Sequence, residues 1–191
     1  MKLVIFDLDD TLVSYTESHT LALDKTFMYI CETYSHINLN DLRTTFLNER
    51  KKAHDTFTSF VRHDKLVQLK WTLQKFGITN PLDFYTVYHN EYLKNIEWRK
   101  GAKELFEEFD VPKVIMSNNN LQLQLEVCKK LNIDVDYIFT SNEFVHEKPH
   151  PESLQYILSL YNVEPHEAYV IGDSPSDAEW ASTLKVPFFI F

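Results

Sequence analysis

The sequence predicts an α/β fold: a parallel sheet with helices on both faces, interrupted by an inserted all-helical block of four helices. Three observations carry that prediction. The chain opens on an apolar run, Leu3 to Phe6, that ends in acidic residues; such a run suits a buried parallel strand delivering side chains to the crevice above an open sheet. From Gly101 onward, short apolar runs alternate with amphipathic stretches, the pattern of strands joined by right-handed helical crossovers. Between these parts, Ser14 to Lys100 shows helical spacing throughout. The predicted division is therefore a Rossmann-like core of residues 1–13 and 101–191 and a helical domain of residues 14–100.

Taken in order, Val4, Ile5 and Phe6 are β-branched or aromatic and fill both covered faces of a sheet. Asp7-Leu8-Asp9-Asp10-Thr11 then places three carboxylates at the strand's end, a group costly to bury without a cation or an ion-pair partner. Leu21, Phe27, Met28, Ile30 and Cys31 mark a first helix from about Tyr15 to Tyr34. Asn40 and Asp41 offer an N-cap to a second helix running toward Phe57. A third is expected from about Ser59 to Phe76, stopped by Gly77, and a fourth follows Asn80-Pro81. In the returning part a helix from Ala102 to Phe109 leads to a strand, Pro112 to Met116, that ends on Ser117-Asn118-Asn119-Asn120. A helix from Leu121 to Leu131, a strand from Tyr137 to Thr140 and a helix from Pro151 to Tyr161 follow. Ala168 to Ile171 is a strand ending on Gly172-Asp173, Asp177 to Lys185 a helix, and Pro187 to Phe191 the last strand.

Composition narrows the function. With 44% hydrophobic and 25% charged residues over 191 positions, the chain is globular in character and long enough to bury a core without staples. A net charge of −9 argues against a nucleic-acid-binding surface. Ser14 to Lys100 holds 12 Lys and Arg against 10 Asp and Glu, whereas the remainder holds 7 against 18, so the acidity is concentrated in the predicted core. No apolar run is long enough for a membrane span, and the N-terminus has no cleavage signal, so a cytoplasmic protein without membrane partners is expected. Cys31 and Cys128 lie far apart and match no zinc or redox spacing. Three glycines, Gly77, Gly101 and Gly172, form no cluster, which excludes the dinucleotide fingerprint and the nucleotide-triphosphate loop.

Four polar clusters follow apolar strands or lie in loops near them: Asp7, Asp9 and Thr11; Ser117 and Asn118; Lys148 in Glu147-Lys148-Pro149-His150-Pro151; and Gly172-Asp173 with Asp177. If their strands are neighbours, these side chains converge. Asp7, Asp9 and Asp173 make an oxygen-rich set for a hard cation, and Mg2+ prefers such a set together with a phosphate oxygen. Ser117, with Asn118 and nearby amides, can hold a phosphate, and Lys148 balances the charge that gathers there. His146 and His150 have no evident partner and read as loop histidines, and Asp10 as a turn residue.

This ordered set resembles the haloacid dehalogenase superfamily, over the whole chain. Asp7-Leu8-Asp9-Asp10-Thr11 matches its Asp-x-Asp-x-Thr motif, Ser117 its Ser/Thr after an apolar strand, Lys148-Pro149 its lysine motif, and Gly172-Asp173 with Asp177 its acidic motif. The helical insertion between the first two motifs is similar to the family's C1 cap. The resemblance implies that Asp7 attacks phosphorus to form an aspartyl-phosphate, that Asp9 is general acid and then base, and that Thr11 orients Asp9 or supports the loop. It implies Mg2+ held by Asp7, Asp173 and the Asp9 carbonyl, with Asp177 behind water. The expected activity is hydrolysis of a small phosphorylated metabolite, a sugar phosphate or nucleotide, beneath a closing cap. Phe57, Phe60, Trp71, Phe84, Tyr85, Tyr88, Tyr92 and Trp98 could stack on a base but read chiefly as cap core. A phosphomutase of the same superfamily and a catalytically idle binding protein are the alternatives, and the sequence carries no signal of oligomeric state.

Overall fold

In the computed structural model, residues 1–57 and 60–191 are described, the side chain of Phe60 excepted. The expected helix start at Ser59 and the ring of Phe60 lie outside the described residues. In chain order the elements are β1 (Leu3–Phe6), α1 (Tyr15–Thr33), α2 (Leu39–Thr56), a 3-10 turn (Phe60–His63), α3 (Lys65–Gln74), α4 (Leu82–Asn95), α5 (Ala102–Glu107), β2 (Lys113–Ser117), α6 (Leu121–Leu131), β3 (Tyr137–Thr140), α7 (Glu152–Leu160), a 3-10 turn (Pro165–Glu167), β4 (Ala168–Gly172), α8 (Pro175–Thr183) and β5 (Phe188–Ile190). The chain divides into two compact units, Met1–Tyr15 with Glu97–Phe191, and Thr16–Ile96.

The first unit holds a parallel sheet with strand order β3-β2-β1-β4-β5. β1 is central and wholly buried, so its four apolar side chains face covered surfaces on both sides. Leu3 and Ile5 join Leu154, Ile157, Trp180 and Ala181 of α7 and α8 in one core cluster. On the opposite face Phe6 packs against Phe106 of α5, ring centroids 5.3 Å apart. Phe6 pairs with Ile115 on one side and Ile171 on the other, which brings the carboxyl ends of β2, β1 and β4 to one edge of the sheet.

Boundaries differ from expectation where hydrogen bonding decides them. Pro112 has no N–H for the ladder and contributes only its carbonyl, to Val4 (3.0 Å), so β2 runs one residue later and includes Ser117. Ser14 donates its N–H to the Glu97 carbonyl (3.0 Å) and Val13 bridges Trp98. Those contacts draw Glu97 to Lys100 into the sheet unit. Trp98 is accordingly no part of the helical unit: it packs on Phe106, and its indole N–H donates to the Leu131 carbonyl at 3.3 Å.

In the helical unit the cap of α2 is Asn38, whose Oδ1 accepts from the N–H groups of Asn40 (2.8 Å) and Asp41 (3.3 Å). The expected third helix is divided. Asp64 caps α3, accepting from Leu66 (2.8 Å) and Val67 (3.2 Å), because its short carboxylate competes better for free N–H groups at a helix start than inside a helix. Phe27 and Phe46 meet edge-on at 5.3 Å, and Phe84, Tyr88 and Tyr92 are buried, so these rings form the unit's core.

His19 is buried in that core, its Nδ1 2.9 Å from the Tyr88 hydroxyl. Burial, with the nearby charges of Lys65 and Arg50, pushes its imidazole down to about 2. A histidine at 6.5 in the unfolded chain and about 2 in the folded one favours folding fully above pH 6.5 and loses that contribution as pH falls toward 2. The melting temperature is therefore expected to fall on acidification below pH 6.5, and His19→Gln, which does not titrate, to have a shallower acid slope. An unchanged slope in thermal melts from pH 7 to 4.5 would remove His19 as a source of acid sensitivity.

Candidate active site

The sheet brings the four polar clusters together at the carboxyl ends of β3, β2, β1 and β4. After β1, the segment from Leu8 to Val13 turns back on itself: the N–H groups of Thr11, Leu12 and Val13 all point to the Leu8 carbonyl, and Asp10 sits at φ 61°. Asp10 is thus a turn residue, a position that short polar side chains tolerate. The turn directs Asp7, Asp9 and Thr11 into the same space.

Lys148 is the centre of the charge arrangement. Its side chain is 4% exposed, and the ammonium donates to Asp7 Oδ1 (2.7 Å), Asp177 Oδ1 (2.6 Å) and the Met116 carbonyl (2.8 Å). Burial works against its charge, but Asp7 and Asp177 outweigh it and hold the amine protonated beyond the ordinary lysine range. Asp177 is expected behind water at a metal; instead it grips Lys148 directly. Its other oxygen accepts from the Ser174 N–H (3.2 Å) and hydroxyl (2.5 Å) in the capping box of α8.

Asp7 and Asp173 share one hydroxyl. Thr11 Oγ1 lies 2.9 Å from Asp7 Oδ2 and 3.2 Å from Asp173 Oδ1. A single hydroxyl hydrogen serves one carboxylate at a time. Thr11 therefore bridges Asp7 to Asp173 rather than orienting Asp9. Burial pushes the Asp7 carboxyl up to about 7, against the pull of Lys148, with the charges of Asp177 and Asp9 adding to the rise. Burial raises Asp173 as well. Asp7, Asp173 and Asp177 each offer an oxygen within 4.8 Å of the others. Since Asp177 is engaged by Lys148 and Ser174, Asp7 and Asp173 form the donor pair that a hard cation fits: an all-oxygen set whose mutual repulsion one ammonium leaves partly uncompensated.

Asp9 is held from behind. Its Oδ2 accepts from Gln124 Nε2 (2.8 Å), Asn119 Nδ2 (3.2 Å) and Ser117 Oγ (3.4 Å), whereas Oδ1 has no hydrogen-bond partner among the described residues. Burial raises its pKa and the two amides pull it back. Ser117, expected to face phosphate, also accepts from Gln124 Nε2 (2.9 Å) and the Asn119 N–H (3.1 Å), which ties its hydroxyl into the cluster around Asp9. Asn118, also expected at the phosphate, has its amide turned to the lysine loop: Oδ1 accepts from the Lys148 N–H (2.9 Å) and Nδ2 donates to the Lys148 carbonyl (3.0 Å). The cap of α6 is Asn120.

Asn119 and Gln124 are site residues the sequence reading missed. The signal for Gln124 was present: it stands three residues after Leu121 and three before Val127, a polar side chain on the apolar stripe of α6, and it is fully buried. Such a position demands hydrogen-bond partners.

Gly172 completes the site for a steric reason. A Cβ there would lie 2.7 Å from Cβ, Cγ and Oδ2 of Asp177, and Asp177 cannot yield without releasing Lys148. Gly172→Ala is expected to destabilise the protein by about 1–3 kcal/mol, the usual range for overpacking, as read from urea denaturation. A neutral result would show that Asp177 has room to move.

The profile of the haloacid dehalogenase-like hydrolases matches residues 1–183, and the chain belongs to that family of hydrolases. Among curated relatives, pyrophosphatase PpaX of Bacillus cereus strain G9842 is 27% identical over 179 residues, covering 91% of this chain and 75% of PpaX. Among solved structures, the magnesium-bound HAD-hydrolase YfnB of Bacillus subtilis is similar at a TM-score of 0.74 with 17% identity, covering 98% of this chain and 86% of that one. A Thermotoga maritima protein described as a β-phosphoglucomutase is similar at a TM-score of 0.72 with 19% identity, covering 100% and 85%. These structural likenesses establish the fold. Among the described residues, no helix is long and apolar enough to cross a membrane.

Proposed function

We propose that this hydrolase is a magnesium-dependent phosphatase of small phosphorylated metabolites, with Met1–Tyr15 and Glu97–Phe191 as catalytic core and Thr16–Ile96 as the helical cap domain, a narrower cap than the expected 14–100. The observation that carries the reading is the linkage of Asp7 to both Lys148 (2.7 Å) and, through Thr11, Asp173 (2.9 and 3.2 Å). A nucleophilic carboxylate flanked by a fixed cation on one side and a cation-binding partner on the other suits attack on an anionic phosphoryl group. The relative named a pyrophosphatase supports phosphoryl chemistry in particular.

In the first step an Asp7 oxygen bonds to phosphorus as the ester P–O bond breaks, and the departing oxygen takes a proton from Asp9. In the second, Asp9 accepts a proton from water, the water oxygen bonds to phosphorus, and the Asp7–phosphorus bond breaks to release phosphate. The elevated pKa of Asp9 and its Oδ1, which no hydrogen bond engages among the described residues, favour this alternation, while Gln124 and Asn119 keep the carboxylate in place. Lys148 remains charged and balances the phosphate that Asp7 accepts. Asp7 and Asp173, with the Asp9 carbonyl by family resemblance, would hold Mg2+, which neutralises phosphoryl oxygens and lowers the repulsion between two anions.

The test is phosphate release from a panel of sugar phosphates, nucleotides and pyrophosphate, with and without Mg2+. Magnesium-dependent release supports the reading, and isomerised sugar phosphate without free phosphate would favour a phosphomutase instead. No turnover on any member would favour an idle binding protein.

A further inference from the structure

We propose that His146, His150 and Glu152 form a binding site for a transition-metal dication of the zinc class, distinct from the oxygen-lined pair Asp7 and Asp173. One nitrogen from each ring and one carboxylate oxygen lie within 4.8 Å of one another. The two imidazoles stack with centroids 4.0 Å apart and planes at 26°. Glu152 Oε2 accepts from the His146 backbone N–H (3.1 Å) and lies 3.1 Å from His146 Nδ1. The Glu152 N–H in turn points to His150 Nδ1 at 3.3 Å. His146 is thus tied to the carboxylate and His150 to the backbone at the first turn of α7, so the three donors are gathered before an ion arrives and ring rotation would close them onto it.

The donor chemistry selects the ion. Two imidazoles and one carboxylate suit Zn2+, Cu2+ or Ni2+, whereas Mg2+ favours oxygen alone. Three protein donors leave a fourth tetrahedral position for water. The residues span the segment 146–152, both of whose ends the ion would join, and Lys148 lies inside it with its backbone clasped by Asn118. Occupancy would stiffen the loop that presents the lysine. The site does not depend on the proposed reaction.

Zinc titration calorimetry on the full chain in saturating Mg2+, paired with thermal melts, tests this. The parent is expected to bind one Zn2+ and to melt higher with it. His146→Ala/His150→Ala should bind at least about tenfold more weakly, a loss seen even when only a supporting residue of a metal site is removed, and should show no zinc-induced rise in melting temperature. Asp173→Asn should bind zinc as the parent does. Equal zinc affinity in the parent and the double variant would overturn the proposal, as would loss of zinc binding in Asp173→Asn, which would place the ion among the acidic residues instead.

Discussion

Asp7→Asn is expected to reduce turnover by at least about 10^3-fold while leaving the fold intact, because it removes the proposed nucleophile and little else. The amide is nearly isosteric with the carboxylate, and burial opposes the charge of Asp7, pushing its carboxyl up to about 7. Neutralising it relieves that desolvation but takes one acceptor charge from Lys148, which keeps Asp177 (2.6 Å) and the Met116 carbonyl (2.8 Å). These effects oppose each other, so the stability change should stay within about 1–2 kcal/mol, the range of single hydrogen-bond changes. Phosphate release under magnesium, with urea denaturation of the same preparations, separates chemistry from folding. A variant that turns over at the parental rate would exclude an aspartyl-phosphate on Asp7, whatever else the site does.

What the sequence makes legible follows from how locally each feature is encoded. β1 is written in four consecutive apolar residues that need burial on both faces, and the four polar clusters stand beside strand ends, where a parallel sheet gathers side chains. The helical insertion is equally plain from spacing alone. Strand order is another matter: right-handed crossovers allow each new strand to join either edge, and only the packed sheet puts β4 against β1. Side-chain hydrogen bonding is harder still. Ser117 and Asn118 are polar and adjacent to a strand end, yet one turns to Asp9 and the other to the Lys148 backbone, choices made by residues 108 and 30 positions away. Asp64 divides the expected third helix because three- and four-residue apolar spacing continues through the cap, and periodicity by itself does not see a local competitor for N–H groups.

Lys148→Met is expected to lower stability by about 3–5 kcal/mol and to abolish turnover, the range observed when one partner of a buried ion pair is removed. All three ammonium hydrogens have acceptors within 2.8 Å, two of them carboxylates. Methionine keeps most of the aliphatic stem, so the substitution isolates charge from volume, and the ammonium's place 5.7 Å from the Trp180 ring centroid is lost with the charge. What remains is Asp177, 2% exposed, facing Asp7 with nothing between them to offset two negative charges. The same reasoning fixes the sign of a second substitution. Lys148→Met/Asp177→Asn should recover part of the lost stability, since it removes one of the stranded charges, whereas turnover should stay absent because Asp7 and an incoming phosphate still lack a fixed cation. Chemical denaturation of the two single variants, the pair and the parent yields the coupling energy. If Lys148→Met is as stable as the parent, or if the double variant regains activity, the lysine is neither the electrostatic keystone of the site nor the partner its nucleophile requires.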